Sequence, residues 1–475
     1  MKKIHLLWCV LILVAGGPTQ VPARADEKAP VYAIHSSRQG GQVDKVAVIL
    51  EVGGDLLEQA EGKVRRVPMD GTCTLTYEER NLDPGATPDS GNRSLRYYEK
   101  AIAQIKAGPD SKKLELRPER VLVAVRRDPQ EAFLFSPRGE LTDDELQLID
   151  VQGNSVLLDG LLPEPPIHVG ENWKVPQKAL VPLLALDELR SSTVEMYLKE
   201  VTPLVARMEL AGEAEGVING VTAKIDLKAK CRFDLKTKRI DWFAMLVKEK
   251  REISVVEHGF DVTARVQVRI TPQPAPQHVS DEALKDVSLE ATPALAQLLF
   301  QAADGSWCVL HDRRWHMTDR YHDLALFRFL DHGQEAAMCK ISPAMQVPEG
   351  KKVSLEEFRG DVQKTLGKDF GAFVEADRLA GDAGYESYRA VVRGTVSDVP
   401  IQWHYYLVGD GRGRQAAFAF TVEEKRLEVF GKTGERLVRS FRFLEPKKAE
   451  KATPEKADKE KASGAEKANI KANIK

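Results

Sequence analysis

From residue 221 to 235 the chain reads Val-Thr-Ala-Lys-Ile-Asp-Leu-Lys-Ala-Lys-Cys-Arg-Phe-Asp-Leu, apolar at every odd position and polar at every even one. A period of two sustained over that length fits a β-strand with one dry and one wet face, and very little else. Asn219-Gly220 stands just before it, the dipeptide suited to the two positive-φ positions of a type I′ hairpin turn. Folding the chain back about that pair sets Ile218 opposite Val221, Ala214 opposite Ile225, Gly212 opposite Leu227, Leu210 opposite Ala229 and Met208 opposite Cys231. Leu204 and Ala206 extend the same dry face, while Glu209 and Glu215 meet Lys230 and Lys224 on the wet one. Turn chemistry and side-chain parity select one register, which a chance alternation would not do.

The pattern continues on both sides. Val46, Val48, Leu50 and Val52 alternate, as do Cys73, Leu75 and Tyr77; Val121–Val125, residues 194–198, residues 240–250 and Phe260–Ile270 also read as strands. Residues 95–106 fit either element by periodicity, and their all-β surroundings favour a strand. Thr142-Asp-Asp-Glu145 is a capping box opening a short helix to about Ile149, and Pro176 opens another to about Leu186. Such a meander has a continuous apolar face that the two helices are placed to cover. Gly212 and Gly216 on the inner side of the hairpin imply strong curvature or room above the sheet. The expected fold class is α+β: a curved, half-barrel-like antiparallel β domain with lid helices, plus a smaller α/β domain.

This long curved meander, covering residues 44–271, resembles the LolA-like lipoprotein-carrier architecture. The resemblance implies an apolar ligand on the concave face, lined by Met208, Leu210, Ala214, Ile225 and Leu227.

Thr271-Pro-Gln-Pro-Ala-Pro276 is a stiff proline run, so residues 272–303 are expected to be a linker ending in a short helix over 293–303. Beyond it come a strand at Trp307–Leu310, a hairpin around His332-Gly333, and a second capping box, Ser354-Leu-Glu-Glu357, whose helix runs to Leu366. Strands at 385–393, 401–408 and 415–421 follow, then a closing helix capped by Thr421-Val-Glu-Glu424. The strand ending in Cys339-Lys-Ile341, the Ser354-Leu-Glu-Glu-Phe358 helix start, Trp403-His-Tyr-Tyr-Leu407, Ala417-Phe-Ala-Phe-Thr421 and Ser440-Phe-Arg-Phe443 make residues 304–445 resemble the PsbP-like fold. That resemblance implies a small α/β sandwich whose relatives mostly bind partners or assist assembly, with no catalytic residues to carry over.

The ends carry location. Lys2-Lys3, an apolar run from Ile4 to Ala15, and Ala23-Arg24-Ala25 have the layout of a signal peptide cleaved near Ala25, which predicts a periplasmic or secreted protein. That run is shorter than the ~18 residues of a spanning helix, and no other segment approaches that length, so no transmembrane segment is expected in the mature chain. Residues 26–43 read as an unstructured lead, and the Lys, Ala and Glu tail of 446–475 as disordered. A formal charge of −2 over 475 residues gives no pull towards nucleic acid.

Four cysteines remain after the signal, two in each proposed domain. In an oxidising compartment they are expected to pair as Cys73–Cys231 and Cys308–Cys339, although four allow three connectivities. Cys308, His311, His316, His322, His332 and Cys339, with Asp312, Asp319 and Asp323, form the densest polar set. Odd spacing puts Cys308 and His311 on opposite faces of a strand, and no HExxH or paired CxxC is present, so no metal or other cofactor is expected. Gly431-Lys432-Thr433 lacks the first glycine of a phosphate loop, because position 426 is Arg. No Gly-x-Ser-x-Gly elbow occurs. The expectation is an exported, non-catalytic binding or assembly protein of unknown protein partner. The alternatives are a carrier of an apolar ligand and, third, a metal-dependent hydrolase using the His311–His332 region.

Overall fold

In the computed structural model, residues 30–60, 62–82, 93–127, 132–321, 324–349, 351, 353–379 and 385–445 are described. The expected signal segment and the tail of 446–475 lie outside them. The chain divides into two compact units. One holds residues up to Leu298 together with 330–335, the other Leu299–Phe329 and the chain from Ala336 onward.

The first unit is built on a 13-stranded antiparallel sheet. Its long strands are β1 (Val43–Ala60), β2 (Lys63–Leu82), β3 (Arg93–Ala107), β4 (Glu195–Val201), β5 (Val205–Ile218), β6 (Val221–Asp234), β7 (Arg239–Arg251) and β8 (Gly259–Gln273). They lie in the order β3-β2-β1-β8-β7-β6-β5-β4, with five shorter strands along or beyond that row, so the sheet is open rather than a closed barrel. The central hairpin has the register that parity and turn chemistry dictate, from Ile218↔Val221 through Gly212↔Leu227 to Met208↔Cys231. Asn219 and Gly220 sit at φ +49° and +79°, both positive as a type I′ turn requires. Leu204 departs from the expected dry face: it precedes β5, in the turn, and is 70% exposed.

Helices α1 (Asp143–Ile149) and α2 (Gln177–Leu183) lie on the sheet's inner face. Thr142 and Glu145 close both halves of the capping box of α1. Pro176 is the N-cap of α2, which ends three residues short of Leu186. Leu148, Leu158, Leu161, Leu180 and Leu184 share one buried core with the inward residues of β1 and β5–β8. The glycines of β5 are explained by close approach rather than by spare room. A Cβ at Gly212 (φ +150°) would lie 2.6 Å from Val194 Cα, and one at Gly216 would lie 2.5 Å from the Glu188 carbonyl oxygen.

Two expectations about flanking segments are corrected. The lead is ordered from residue 30: Val31–Tyr32 pairs with Ile167–His168, and Ile34 is fully buried. The stretch expected as a linker stays on the first unit. β8 runs through Pro272 to Gln273, paired with Asp44 and Val43, and Val279 is fully buried beside Leu95 and Leu122. The backbone N–H groups of Gln277 and His278 donate to the Glu78 carboxylate at 2.6 and 2.7 Å. A four-residue helix, α3 (Asp281–Leu284), follows, and the expected helix over 293–303 is replaced at Leu298–Gln301 by a strand.

The second unit carries a seven-stranded antiparallel sheet. Its strands are β9 (Trp315–Tyr321), β10 (Leu324–Asp331), β11 (Gln334–Pro343), β12 (Phe370–Leu379), β13 (Tyr385–Val396), β14 (Val399–Asp410) and β15 (Gln415–Glu423), in the order β9-β10-β11-β15-β14-β13-β12. Helix α4 (Leu355–Leu366) opens with the Ser354–Glu357 capping box and stops at Gly367, φ +52°. The closing helix is broken. β15 runs to Glu423, and α5 (Leu427–Phe430) and α6 (Thr433–Ser440) are separated at Gly431, φ +47°. Phe327, Phe329, Phe418, Phe420, Phe430 and Phe441 form most of its aromatic core.

Candidate binding groove

The residues proposed to line an apolar ligand site, Met208, Leu210, Ala214, Ile225 and Leu227, are all buried in the first unit's core. The loop before the second short helical turn presses on this face as well: a Cβ at Gly153 would lie 3.0 Å from Val266 Cγ1. The helices therefore seat on the face instead of standing at its rim.

None of Cys73, Cys231, Cys308 and Cys339 is joined in a disulfide, which corrects both expected pairs. Cys73 on β2 and Cys231 on β6 do share the inward face, but β1, β8 and β7 stand between them. Four strand spacings amount to about 19 Å, far beyond the reach of a bridge. In the other pair, Trp307, Val309 and His311 face the core, so parity turns Cys308 away from it while Cys339 is fully buried. The Trp307–His311 strand pairs with Arg442–Phe443 and lies in a different sheet from β11, which carries Cys339.

Among the described residues no three His, Cys, Asp or Glu side chains are grouped to hold a metal ion. His311 is a buried core residue against Phe327, with Nδ1 3.1 Å from the Asp312 carbonyl oxygen. Burial pushes its imidazole down to about 4. His332 sits at the β10–β11 turn with φ +47°. His322 and Asp323 lie outside the described residues.

The outward face of the same sheet offers a groove of about 670 Å3 across β5–β8 and β1. β7 forms its floor. Parity puts Trp242, Ala244 and Leu246 on the outward side, one every second residue. Neighbouring strands supply the walls, because the ladder sets Lys228 and Arg265 on either side of Leu246, and Lys230 and Gln267 on either side of Ala244. Arg232 and Arg269 flank Trp242 in the same way, at the entrance to an adjoining hollow of about 420 Å3. Ile49, 49% exposed, and Ala211 widen the apolar floor at its two sides.

The charges of this face are only partly matched. Lys199 binds Glu209 at 2.6 Å, Arg207 binds Glu200 at 2.5 Å, and Arg232 holds Asp241 through two bonds of 2.7 and 2.9 Å. The Lys199 hydrogen bond holds the Glu209 carboxyl below its ordinary range. Lys228, Lys230, Arg265 and Arg269 are exposed and none is held in an ion pair among the described residues; Glu209 lies across the ladder from Lys230 and Glu51 across from Arg265, while Lys228 and Arg269 have no carboxylate opposite them. An apolar floor between two cationic walls can hold an anionic, partly apolar ligand by contact and charge. It presents no nucleophile with a base beside it.

A second polar constellation, missed from the sequence, is fully internal. Glu79 on β2 and Arg96 on β3 are directly opposed, and their side chains are 0% and 1% exposed as residues. Arg96 Nε donates to Glu79 Oε1 at 2.8 Å, and Ser94 and Ser155 hydroxyls donate to the same carboxylate at 2.8 and 2.7 Å. Arg38 from the lead joins through Asp159 at 2.5 Å and the Ser155 carbonyl at 2.8 Å. Burial opposes ionisation of Glu79, yet the Arg96 and Arg38 charges and the Ser155 bond outweigh it and hold the carboxyl below its usual range. Extending the Cys73-Leu75-Tyr77 parity by two steps to Glu79 and Asn81 would have shown polar groups turning inward. Every carboxylate oxygen of Glu79 is engaged, which makes the network a fixture of the core.

No family model matches the chain, and no curated protein matches it. Among solved structures it is similar to cyanobacterial PsbP (CyanoP) from Synechocystis sp. PCC 6803, at 14% identity over 34% of this chain and 99% of that one, with a TM-score of 0.26. A structure from Bacteroides thetaiotaomicron VPI-5482 aligns at 11% identity over 31% of this chain and 48% of its own, TM-score 0.23. The translocator domain of autotransporter NalP from Neisseria meningitidis spans 82% of this chain and 90% of its own at 6% identity, but with a TM-score of 0.10. Scores this low carry no argument about the chain, and none of these likenesses supports the lipoprotein-carrier resemblance. Among the described residues no helix is long and apolar enough to cross a membrane.

Proposed function

We propose that this is an exported, non-catalytic binding or assembly protein that engages its partner on the outward face of the first unit's sheet. One observation carries the reading: four exposed cations, none held in an ion pair among the described residues, stand around an apolar floor, while the opposite face is filled by the protein's own helices. The N-terminal Lys2-Lys3, apolar run and Ala-Arg-Ala support export.

A photo-crosslinking residue at Ala244 in producing cells tests this. A discrete adduct is expected that weakens when Lys230→Glu is added and is missing when the same residue replaces exposed Lys106 on β3. Equal adducts at 244 and 106, or none at 244, would count against the reading.

A further inference from the structure

The geometry points to an extended, acidic polypeptide segment with apolar residues at alternate positions as the occupant of the β7 trough; this rests on the reading of the groove as the binding site. The floor repeats every second residue, Trp242, Ala244 and Leu246, at about 6.7 Å intervals, the interval at which an extended chain repeats side chains on one face. Alternate apolar residues of such a segment can therefore each meet one floor position. The cations stand in two columns either side of that line, Lys228 and Lys230 on β6 and Arg265 and Arg269 on β8. The columns are two strands apart, about 10 Å, and Arg265 and Arg269 are about 13 Å apart along their strand. One head group of an amphiphile would reach one or two of these cations and leave the rest unmatched. Carboxylates spaced along a chain alternate with its floor-facing residues and so turn away from the sheet, where the long Lys and Arg side chains rising from the two columns can meet them from either side.

Glu51 argues further for a peptide. Together with Glu200, Glu209 and Asp241 it places negative charge among the cations, which repels a uniformly charged polyanion but leaves room for a segment mixing acids with neutral residues. Trp242, half-buried at the end of the trough, supplies an aromatic surface for one apolar side chain of the partner.

The test is fluorescence anisotropy of the full chain with labelled Glu-Leu-Glu-Val-Glu-Leu-Glu and with its isomer having the four acids in one block. At about 50 mM salt the alternating peptide is expected to bind saturably and about tenfold tighter than the blocked one. Arg265→Glu and Lys230→Glu should each weaken it by about tenfold with unchanged thermal midpoint, and Lys106→Glu, at an exposed position on β3 away from the trough, by no more than about twofold. Equal affinity for the two isomers, binding indifferent to both charge reversals, or no binding would overturn the proposal. Tighter binding of dextran sulfate or of oleate than of the alternating peptide would overturn it too. An adduct at residue 244 in cells alongside any of these failures discards the peptide alone and leaves the groove as the site.

Discussion

Removing the Glu79 carboxylate would leave Arg96 buried without its counter-ion. Breaking one side of a buried pair costs about 3–5 kcal/mol, so Glu79→Gln should lower the urea midpoint of the full chain by that equivalent. The paired change Glu79→Leu with Arg96→Met should cost less than Glu79→Gln alone, since no unmatched charge remains. A loss under about 1 kcal/mol for Glu79→Gln would show that the network is dispensable. Two histidines set a pH dependence in the second unit. Burial first, then the neighbouring Arg389, pushes His404 down to about 4, and burial does the same for His311. Both stay neutral in the fold, whereas in the unfolded chain they take up protons from their ordinary value of 6.5 downward. Stability is therefore full above that value and falls as pH drops towards about 4, by up to about 3 kcal/mol per histidine. Thermal unfolding between those pH values should show this slope, and His404→Leu should flatten it; an unchanged slope would contradict the assignment. Residues of this kind were legible in part. Parity alone places Glu79 and Cys73 inward, but which strand lies opposite is a long-range fact that no local pattern contains. The same gap produced the two unformed disulfides.

The elements were read best where two local signals coincide. Thr142 and Glu145, and Ser354 and Glu357, form the capping boxes that their spacing predicts, because both donors and acceptors lie within four residues. Glu145 does more than cap. Its carboxylate also receives Arg117 at 2.5 and 2.6 Å from across the chain. Thr142→Ala is thus expected to cost about 1 kcal/mol and Glu145→Ala about twice that or more, compared by denaturant titration. Equal costs would mean that Arg117 contributes nothing. Gly212 makes the sharper case. The sequence shows a small residue opposite Leu227 without saying why, and the reason is the Thr193–Val194 backbone lying against it. Gly212→Ala should destabilise severely while Ala211→Ser, on the exposed side, should not. The closing helix read as one piece because Gly431 suits both a helix end and a helix interior in pattern terms, whereas in the fold it ends α5 beside the buried Phe430.

At the scale of the molecule, the proline run proved a poor guide to where the first unit ends. Pro272 lies on β8 opposite Asp44 of β1, with Thr271 and Gln273 still in register with Lys45 and Val43, and Glu78 then ties down Gln277 and His278. A fragment of residues 30–298 should accordingly melt well above one of residues 30–271, which lacks Val279 and exposes Leu95 and Leu122. Indistinguishable midpoints would restore the linker. The candidate groove was hidden in plain view: the wet face of the meander was legible residue by residue, but the convergence of Lys228, Lys230, Arg265 and Arg269 around Trp242-Ala244-Leu246 depends on a strand order spanning β1 to β5. The central claim is that binding belongs to this outward face because the inner one is filled. Titrating the full chain with a fluorescent long-chain fatty acid tests it most directly. The account predicts no saturable binding tighter than about micromolar. Nanomolar, saturable binding that is lost on Ala214→Trp and indifferent to Lys230→Glu would place the ligand on the inner face and contradict it.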